Sequence, residues 1–252
     1  MNLSRQAHAV LDLASRRHKG RKIERLLGLQ AAQEPLRLLE IGTGSGGIAH
    51  YFATHPGLRC RVVAVDVADL RTVRDSYEFH QVRDTALPFA DASFDVVLSN
   101  HVIEHVGERR AQLAHLLELR RVLADDGVAY LAVPNRWMLV EPHYRLAFLS
   151  WLPRRLRSPY LRLAGRGSHY DCEPLSLREL DALLAQAGLA GRHVEVQALR
   201  ETLSIEGAKG LQARLAAWLP DALLWRLQGL IPTLICVIRK APAAPGHGRS
   251  SW

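Results

Sequence analysis

The chain has 252 residues, of which 48% are hydrophobic, and its formal net charge is +8 at neutral pH. This composition is typical of a globular protein and argues against wholesale disorder. Cys60, Cys172 and Cys236 lie without CxxC spacing, which argues against a disulfide framework and a zinc site, so we predict no metal site. The sequence lacks an 18-residue apolar run and a secretory h-region, so we expect a cytoplasmic protein.

The positive charge is concentrated in two segments. Residues 1–30 carry a net charge of +5 and residues 136–168 carry +6, whereas residues 31–135 carry −4. Segments of this kind suit an anionic partner, either a phosphate-bearing substrate or the inner face of a membrane. The alternative is a solvated arginine-rich surface without a partner.

The hydrophobic pattern predicts strands that alternate with helices. The N-terminal residues 1–30 are expected to be helical. Strands are predicted at 36–41, 61–67, 79–82, 94–99, 128–133, 194–199 and 233–238, and helices at 48–54, 108–123, 176–187 and 211–230. A turn is expected at 125–127, and a capping box is expected at Ser176 and Glu179.

This alternation predicts an α/β fold, a Rossmann-like three-layer sandwich around a mostly parallel sheet. Residues 136–170 mix aromatic residues with arginines and prolines and break the rhythm. We interpret them as a helical lid inserted after strand five, and residues 211–230 as an insertion after strand six. Residues 1–240 then form a single domain, and residues 241–252 form a disordered tail.

A glycine-rich turn follows the first strand and is the strongest local signal. Gly42, Gly44 and Gly47 satisfy GxGxxG, and Asp66 ends the second strand, where a dinucleotide fold also places a carboxylate. Glu40 stands in an otherwise apolar strand, and a buried carboxylate there needs partners. It can orient the loop and, through water, a cationic amino group, which NAD lacks.

Three further motifs follow in order. The first is Asp84, followed by LPF and then by FDVV. The second is RVLADDG before the predicted fifth strand, and the third is Pro134-Asn135 at the end of that strand. Together with Glu40 and the glycines, the set resembles class I S-adenosylmethionine (SAM)-dependent methyltransferases of the type-11 group. The resemblance is good over about residues 36–135 and loose over 170–240. It implies the sheet order 3-2-1-4-5-7-6 with an antiparallel last strand, SAM as cofactor and S-adenosylhomocysteine as product.

The resemblance also implies roles for particular positions. The loop would pass the methionine part of SAM along its backbone, Asp66 would bind the ribose hydroxyls with Val67 beside it, and Asp84 would accept from the adenine amino group. The complete set of implied cofactor residues is Glu40, Gly42, Thr43, Gly44, Gly46, Asp66, Val67, Asp84, Thr85, Ser99 and Asn100. For Asp84 the alternative is turn chemistry.

The segment after strand four holds the candidate catalytic residues. His101 and His105 are spaced i, i+4, so on a helix they would share one face. His105 is the first candidate for a general base, with Glu104 or His101 as its helper. One alternative is that His105 only packs and hydrogen-bonds beneath the cofactor. Another is a metal site at Glu104 and His105, which would rest on few ligands.

Basic and aromatic residues of the insertion are the candidates for acceptor binding. The insertion is bracketed by four candidate residues that either face the acceptor or pack the lid. They are His143, Tyr144, His169 and Tyr170. Basic-aromatic stretches can lie on an anionic membrane or hold a long apolar acceptor. We therefore predict O-methylation of a small lipid-like, quinone-precursor or glycan-type acceptor. The oligomeric state is left open.

Two other functions stay open at this point. The arginine clusters could serve an RNA methyltransferase or an RNA-binding protein, although no NPPY-type motif follows strand four and no specific nucleic acid is expected. An NAD(P)-dependent oxidoreductase is the second alternative.

Overall fold

The structure, a computed structural model, describes residues 12–207 and 217–242. The predicted disordered tail therefore lies almost wholly outside the described residues, as do residues 1–11 and the first six residues of the predicted helix at 211–230. The helices are α1 (Leu13–Leu27), α2 (Gly47–Ala53), α3 (Arg109–Val122), α4 (Arg154–Leu163), α5 (Leu177–Gln186), α6 (Glu195–Glu206) and α7 (Asp221–Arg226). In the described ranges, none of them combines the length and the apolarity that a membrane span requires.

The strands form one large sheet and one small hairpin. They are β1 (Leu36–Ile41), β2 (Cys60–Asp66), β3 (Glu78–Gln81), β4 (Phe94–Asn100), β5 (Leu123–Pro134), β6 (Val140–Glu141), β7 (Leu146–Ala147), β8 (Leu189–His193) and β9 (Thr233–Lys240). The large sheet has the order β3-β2-β1-β4-β5-β9-β8, and β9 runs antiparallel to both neighbours. Strands β6 and β7 form a separate hairpin, so β8 and β9 are the sixth and seventh strands of the large sheet. Its order is therefore the predicted 3-2-1-4-5-7-6, and the fold class is confirmed.

The sheet is buried on both faces, which makes three layers. Alternate residues of one strand point to opposite faces. Leu38 therefore packs with Ile23 of α1 and Phe52 of α2, whereas Leu39 packs with Leu116 of α3 on the other side. Each face thus has its own core, and the continuous apolar runs of β1 and β4 follow from burial on both sides.

The predicted strand at 194–199 is wrong. Gly188, with φ of +66°, ends α5 and leads directly into β8, and helix α6 begins at Glu195. The edge strand β8 is mostly exposed, so it lacks the apolar pattern by which strands are recognised. Val196 and Ala198 are buried residues of a helix and were misread as strand residues.

Two other segments differ from expectation. The turn predicted at 125–127 is part of β5, where the pairing moves from Phe94 with Leu123 to Val96 with Val128. Between these two pairs β5 has more residues than β4, and the extra residues form an irregularity in the strand pairing. The insertion after β5 contains the β6–β7 hairpin and one 3-10 turn besides α4, so it is only partly helical.

Helix α5 gives a test of the sequence-derived cap. The Ser176 hydroxyl receives an N–H at the start of α5, and the Glu179 carboxylate receives the Ser176 N–H at 2.8 Å. We expect Ser176→Ala to lower the free energy of unfolding by about 1 kcal/mol, because one orphan N–H loses its acceptor. Urea unfolding of the full chain measures this. Ser176→Thr is the control, since it keeps a hydroxyl that can accept the helix N–H and donate to Glu179 Oε2, as Ser176 does at 2.8 Å; equal destabilisation by both variants would contradict the assignment.

Candidate active site

The carboxyl ends of β1, β2 and β4 lie side by side at one edge of the sheet. Ile41 is in register with Val65 of β2 and with Ser99 of β4. The loop after β1, which we call the glycine loop (residues 42–46), therefore lies between Asp66 at the end of β2 and Asn100 at the end of β4. In open α/β sheets this edge, where the order of strands reverses, is where ligands bind.

The glycine loop needs glycine for conformation and for space. Gly42 and Gly46 have φ of +74° and +80°. A Cβ on Gly42 would lie 2.4 Å from the Val102 side chain, and one on Gly46 would lie 2.5 Å from the Val73 carbonyl oxygen. Neither position tolerates a side chain without displacing the segment packed on it, so glycine at both positions lets the neighbouring segments approach the loop closely.

Glu40 is buried beneath this loop and ties it together. Its Oε2 accepts the Thr43 hydroxyl at 2.7 Å and the Ala49 N–H of α2 at 2.9 Å. Burial raises the pKa of Glu40 to about 8, and these two hydrogen bonds and the charge of Arg16 only partly oppose it. The predicted need of this carboxylate for partners is thus met within the loop and α2.

Asp66 faces the glycine loop from the neighbouring strand. Its Oδ2 accepts the Gly44 N–H at 2.8 Å, and its Oδ1 accepts the Val67 N–H at 2.7 Å. The Val67 side chain beside it is 43% exposed. Asp66 is thus fixed by backbone donors at the position that the resemblance assigns to a ribose-binding carboxylate.

A segment without helix connects β2 to β3 and covers one side of the loop. The Thr72 and Val73 N–H groups donate to the Ser45 carbonyl at 3.0 and 3.3 Å. The Tyr77 hydroxyl donates to the Val73 carbonyl and fills the space beside Gly46. This cover was not predicted, because it depends on main-chain contacts that leave no residue pattern.

The residues after β3 are exposed. Asp84 is exposed, and its Oδ1 accepts the Ala86 N–H at 2.8 Å, so it does form the turn that was the alternative interpretation. Thr85 is half-buried beside it. A carboxylate has further acceptor capacity, so the turn and an adenine contact are compatible.

The end of β4 contributes two polar residues with different environments. Ser99 is fully buried, and its hydroxyl contacts Nε2 of His115 on α3 at 2.9 Å. Burial lowers the pKa of His115 to about 4, so this histidine is neutral at pH 7. The Asn100 Oδ1 is buried without a hydrogen-bond partner among the described residues.

The candidate catalytic residues lie on turns, so the expected helix face is wrong. His101 has a left-handed φ of +57°, which directs the chain away from β4 before α3 begins. Its Nδ1 lies 3.2 Å from Oε1 of the buried Glu104, and Nε2 of His105 lies 3.9 Å from the same oxygen. Although burial opposes ionisation, His101 and His105 hold the pKa of Glu104 below its ordinary value. The three residues are thus joined through a shared carboxylate.

The four predicted acceptor residues separate in the structure. The ring of His143 lies 5.8 Å from that of His105, so it is near the candidate catalytic residues, and its role in acceptor binding stays a prediction. Tyr144 and Tyr170 are buried in the small core of the insertion, and the Tyr144 hydroxyl donates to Asp171 at 3.0 Å. His169 is exposed and contacts Ser158 of α4.

Sequence reasoning missed several residues beside His105. The Cys172 thiol lies 3.8 Å from its Nδ1, and Glu141 is buried with Oε1 2.7 Å from Nδ1 of His143. Asp171 borders the same space. These residues lie about 30 to 70 positions from His105 in the chain, so only the fold brings them together. His115 had a usable signal, a histidine within the apolar stripe of α3.

Comparisons with known sequences agree with this geometry. A family model described as a methyltransferase domain, Methyltransf_23, matches residues 11–194. The ubiquinone biosynthesis O-methyltransferase of Ruegeria pomeroyi is 30% identical over 71% of this chain and 69% of its own. The malonyl-[acyl-carrier protein] O-methyltransferase of Geobacter sulfurreducens is 32% identical over 70% of this chain and 64% of its own. The chain spans about two thirds or less of the length of such curated relatives.

Solved structures support the same fold. The Burkholderia thailandensis 1,6-didemethyltoxoflavin-N1-methyltransferase, solved with S-adenosylhomocysteine, covers 92% of this chain, and 80% of its own length is matched. The TM-score is 0.53 at 18% identity, which shows the fold alone. The match over residues 11–194 decides against an NAD(P) oxidoreductase. The chain belongs to the SAM-dependent methyltransferases with a class I Rossmann-like fold.

Proposed function

We propose that the chain transfers the methyl group of SAM to an oxygen of a small, largely apolar acceptor. The observation that carries this proposal is the pair of His101 and buried Glu104 at the end of β4, immediately beside the glycine loop. Methyl transfer from a sulfonium is an in-line displacement with a good leaving group, so alignment of the reactants supplies most of the rate. A base is needed when the nucleophile is a hydroxyl.

On the donor side, the residues of the glycine loop would hold SAM. The backbone of Gly42, Thr43, Gly44 and Gly46 would hold its methionine part, and Glu40 would favour its amino group. Asp66 would hold the ribose hydroxyls, and Val67 and Asp84 would hold the adenine. Ser99 and Asn100 would contact the methionine part, and the buried Asn100 Oδ1 would offer it an acceptor. This arrangement uses the polar groups that converge on the edge of the sheet.

On the acceptor side, His101 takes the proton. Glu104 contacts Nδ1 of His101. The other ring nitrogen of His101, Nε2, is therefore left to receive the proton of the acceptor hydroxyl as the methyl group is transferred. The sequence favoured His105 as the base, but the His105 ring lies between Glu104 and Cys172. We therefore assign the base to His101 and give His105 a positioning role.

The insertion supplies the apolar part of the acceptor site. Its outer face exposes Trp137, Leu139, Val140, Phe148 and Trp151, and both the Phe148 and Trp137 rings pack on Trp151. Residues 136–168 carry seven arginines and one acidic residue. An apolar face with a basic surround suits contact with an anionic membrane, from which a lipid-like acceptor is taken.

The relatives narrow the acceptor class. The Ruegeria pomeroyi protein is named for ubiquinone biosynthesis and the Geobacter sulfurreducens protein for malonyl groups on acyl carrier protein. Both names specify O-methylation. We favour a phenolic quinone precursor over a glycan-type acceptor, because the face of the insertion is aromatic and aliphatic.

Methyl transfer from isotopically labelled SAM tests the acceptor class. We expect label in a catechol with an isoprenoid tail, at an oxygen identified by mass spectrometry, and none in a malonyl-carrier protein or in RNA. Co-sedimentation with anionic vesicles tests the membrane contact. Label in RNA would instead support the alternative of an RNA methyltransferase. Transfer to nitrogen alone would overturn O-methylation.

Asp66 gives the sharpest test of the donor site. We expect Asp66→Ala to weaken S-adenosylhomocysteine binding about 10- to 100-fold, because it removes charge-assisted hydrogen bonds of about 1.5–3 kcal/mol. Calorimetry measures the affinity. Asp126→Ala is the matched control, since Asp126 is an exposed aspartate in the irregular part of β5. Equal affinities of the two variants would remove Asp66 from the site.

Binding should also depend on pH through Glu40. Its pKa of about 8 keeps the buried carboxyl largely protonated at pH 7, whereas a bound ammonium favours the ionised form. Affinity for S-adenosylhomocysteine should therefore rise with pH between 6 and 8, by up to about tenfold per unit, as one proton is released. Calorimetry in buffers of different ionisation enthalpy counts that proton. A Glu40→Gln variant with the same pH slope would contradict this role.

A further inference from the structure

A cluster of metal-ligating side chains lies between the end of β4 and the insertion. His105, Asp171 and Cys172 place one ligand atom each within 4.8 Å of one another, and so do Glu141, His143 and Cys172. The Cys172 thiol belongs to both sets. We call these five residues the cysteine cluster.

The cysteine cluster has the chemistry of a zinc site. Thiolate sulfur, imidazole nitrogen and carboxylate oxygen are the donors of tetrahedral Zn²⁺. Hard cations such as Mg²⁺ prefer oxygen ligands alone. Cys172 and Glu141 are each about 1% exposed, so they are shielded from bulk water, and Asp171, His105 and His143 are half-buried.

A second observation points to a cation at this place. Glu104 is fully buried, and its Oε2 has no hydrogen-bond partner among the described residues. Its other oxygen lies 3.9 Å from Nε2 of His105, whose Nδ1 faces Cys172. A carboxylate on the far nitrogen of a ligating histidine is the usual outer partner of a metal site. Three carboxylates, of Glu104, Glu141 and Asp171, thus surround one thiol, and a divalent cation offsets their charge.

The backbone holds the two halves of the cluster in place. The Glu173 N–H donates to the Glu104 carbonyl at 2.8 Å, which joins the segment of Cys172 to that of His105. Glu141 Oε2 accepts the Tyr144 N–H at 2.8 Å, which fixes the β6–β7 turn that carries His143. The ligand atoms are therefore positioned without help from a metal, as a binding site of high affinity requires.

We propose that Cys172, His105 and Asp171 bind a zinc ion, with Glu141 or His143, which lie on the other side of the thiol, as the source of the fourth ligand. The ion joins the insertion to the segment after β4. It departs from the expectation of no metal site, which rested on the absence of CxxC spacing. The proposal does not depend on methyl transfer, since metal content and metal spectra are its readouts.

Cobalt substitution of the full chain tests the site. After zinc removal by a chelator, Co²⁺ is added to the wild-type protein and to Cys172→Ser. We expect one Co²⁺ per chain, with a thiolate-to-cobalt charge-transfer band that zinc displaces. We expect Cys172→Ser to lack the band and to bind zinc at least about tenfold more weakly, because even outer partners change affinity by about 10- to 100-fold.

Two sets of variants control for the other cysteines and for folding. Cys60→Ser and Cys236→Ser remove the remaining thiols, and neither residue belongs to the cysteine cluster. Both should keep the band. Asp171→Asn should shift the band and weaken zinc binding while it retains S-adenosylhomocysteine binding. A wild-type chain without the band, or a band that persists in Cys172→Ser, would overturn the proposal and leave the donor site untouched.

Discussion

The buried Glu40 carboxylate holds together the part of the fold on which the donor site depends. One oxygen of this side chain receives the Thr43 hydroxyl of the glycine loop and the Ala49 N–H of α2. It thereby connects the central strand β1, a loop that has no regular structure, and helix α2. Without this connection the loop would be held by its main-chain hydrogen bonds, such as those of the Gly42 and Thr43 N–H groups to the Val65 carbonyl, and by the contacts of Asp66 and the β2–β3 segment. Burial of an acidic side chain in an otherwise apolar strand is costly in free energy. The hydrogen bonds that Glu40 accepts from the loop and from α2 explain its presence there.

Much of the fold could be predicted from the sequence, because burial on both faces gives β1, β2, β4 and β5 recognisable apolar runs. The order of strands followed from the resemblance that the glycine loop, Asp66 and the later motifs carry. The edge strand β8 was missed for the opposite reason: it is exposed, and its residues Ala190 to Arg192 have no apolar alternation. Val196 was misread because a valine in a short buried stretch does not distinguish a helix from a strand.

For the candidate site, sequence-based prediction found a common location only for residues that lie close in sequence, and their roles in cofactor binding stay predictions. Glu40, the glycines and Asp66 follow two adjacent strands, and the structure brings them to one edge. It failed where residues far apart in the chain converge, as Cys172 and His105 do across 67 positions. The histidines after β4 were predicted as candidate site residues, but their arrangement on turns was not predicted, because the left-handed backbone of His101 has no signature in the sequence. The tyrosines of the insertion are a third case. The sequence suggested that they either face the acceptor or pack the lid, and in the structure they pack in the small core of the insertion.

The main-chain hydrogen bond from Glu173 to the Glu104 carbonyl restricts how the insertion can open. Leu175 is joined to the end of β5 by a similar bond to the Pro134 carbonyl, so the C-terminal stem of the insertion is anchored to the sheet. The hairpin of β6 and β7, a pair of two-residue strands, lies at the other end of the insertion and has the fewest ladder bonds. The N-terminal stem is fixed as well, since the Arg136 N–H donates to the Leu175 carbonyl at 3.0 Å. Both stems are thus tied at the base of the insertion, and moving the insertion away from the sheet would require breaking these main-chain hydrogen bonds.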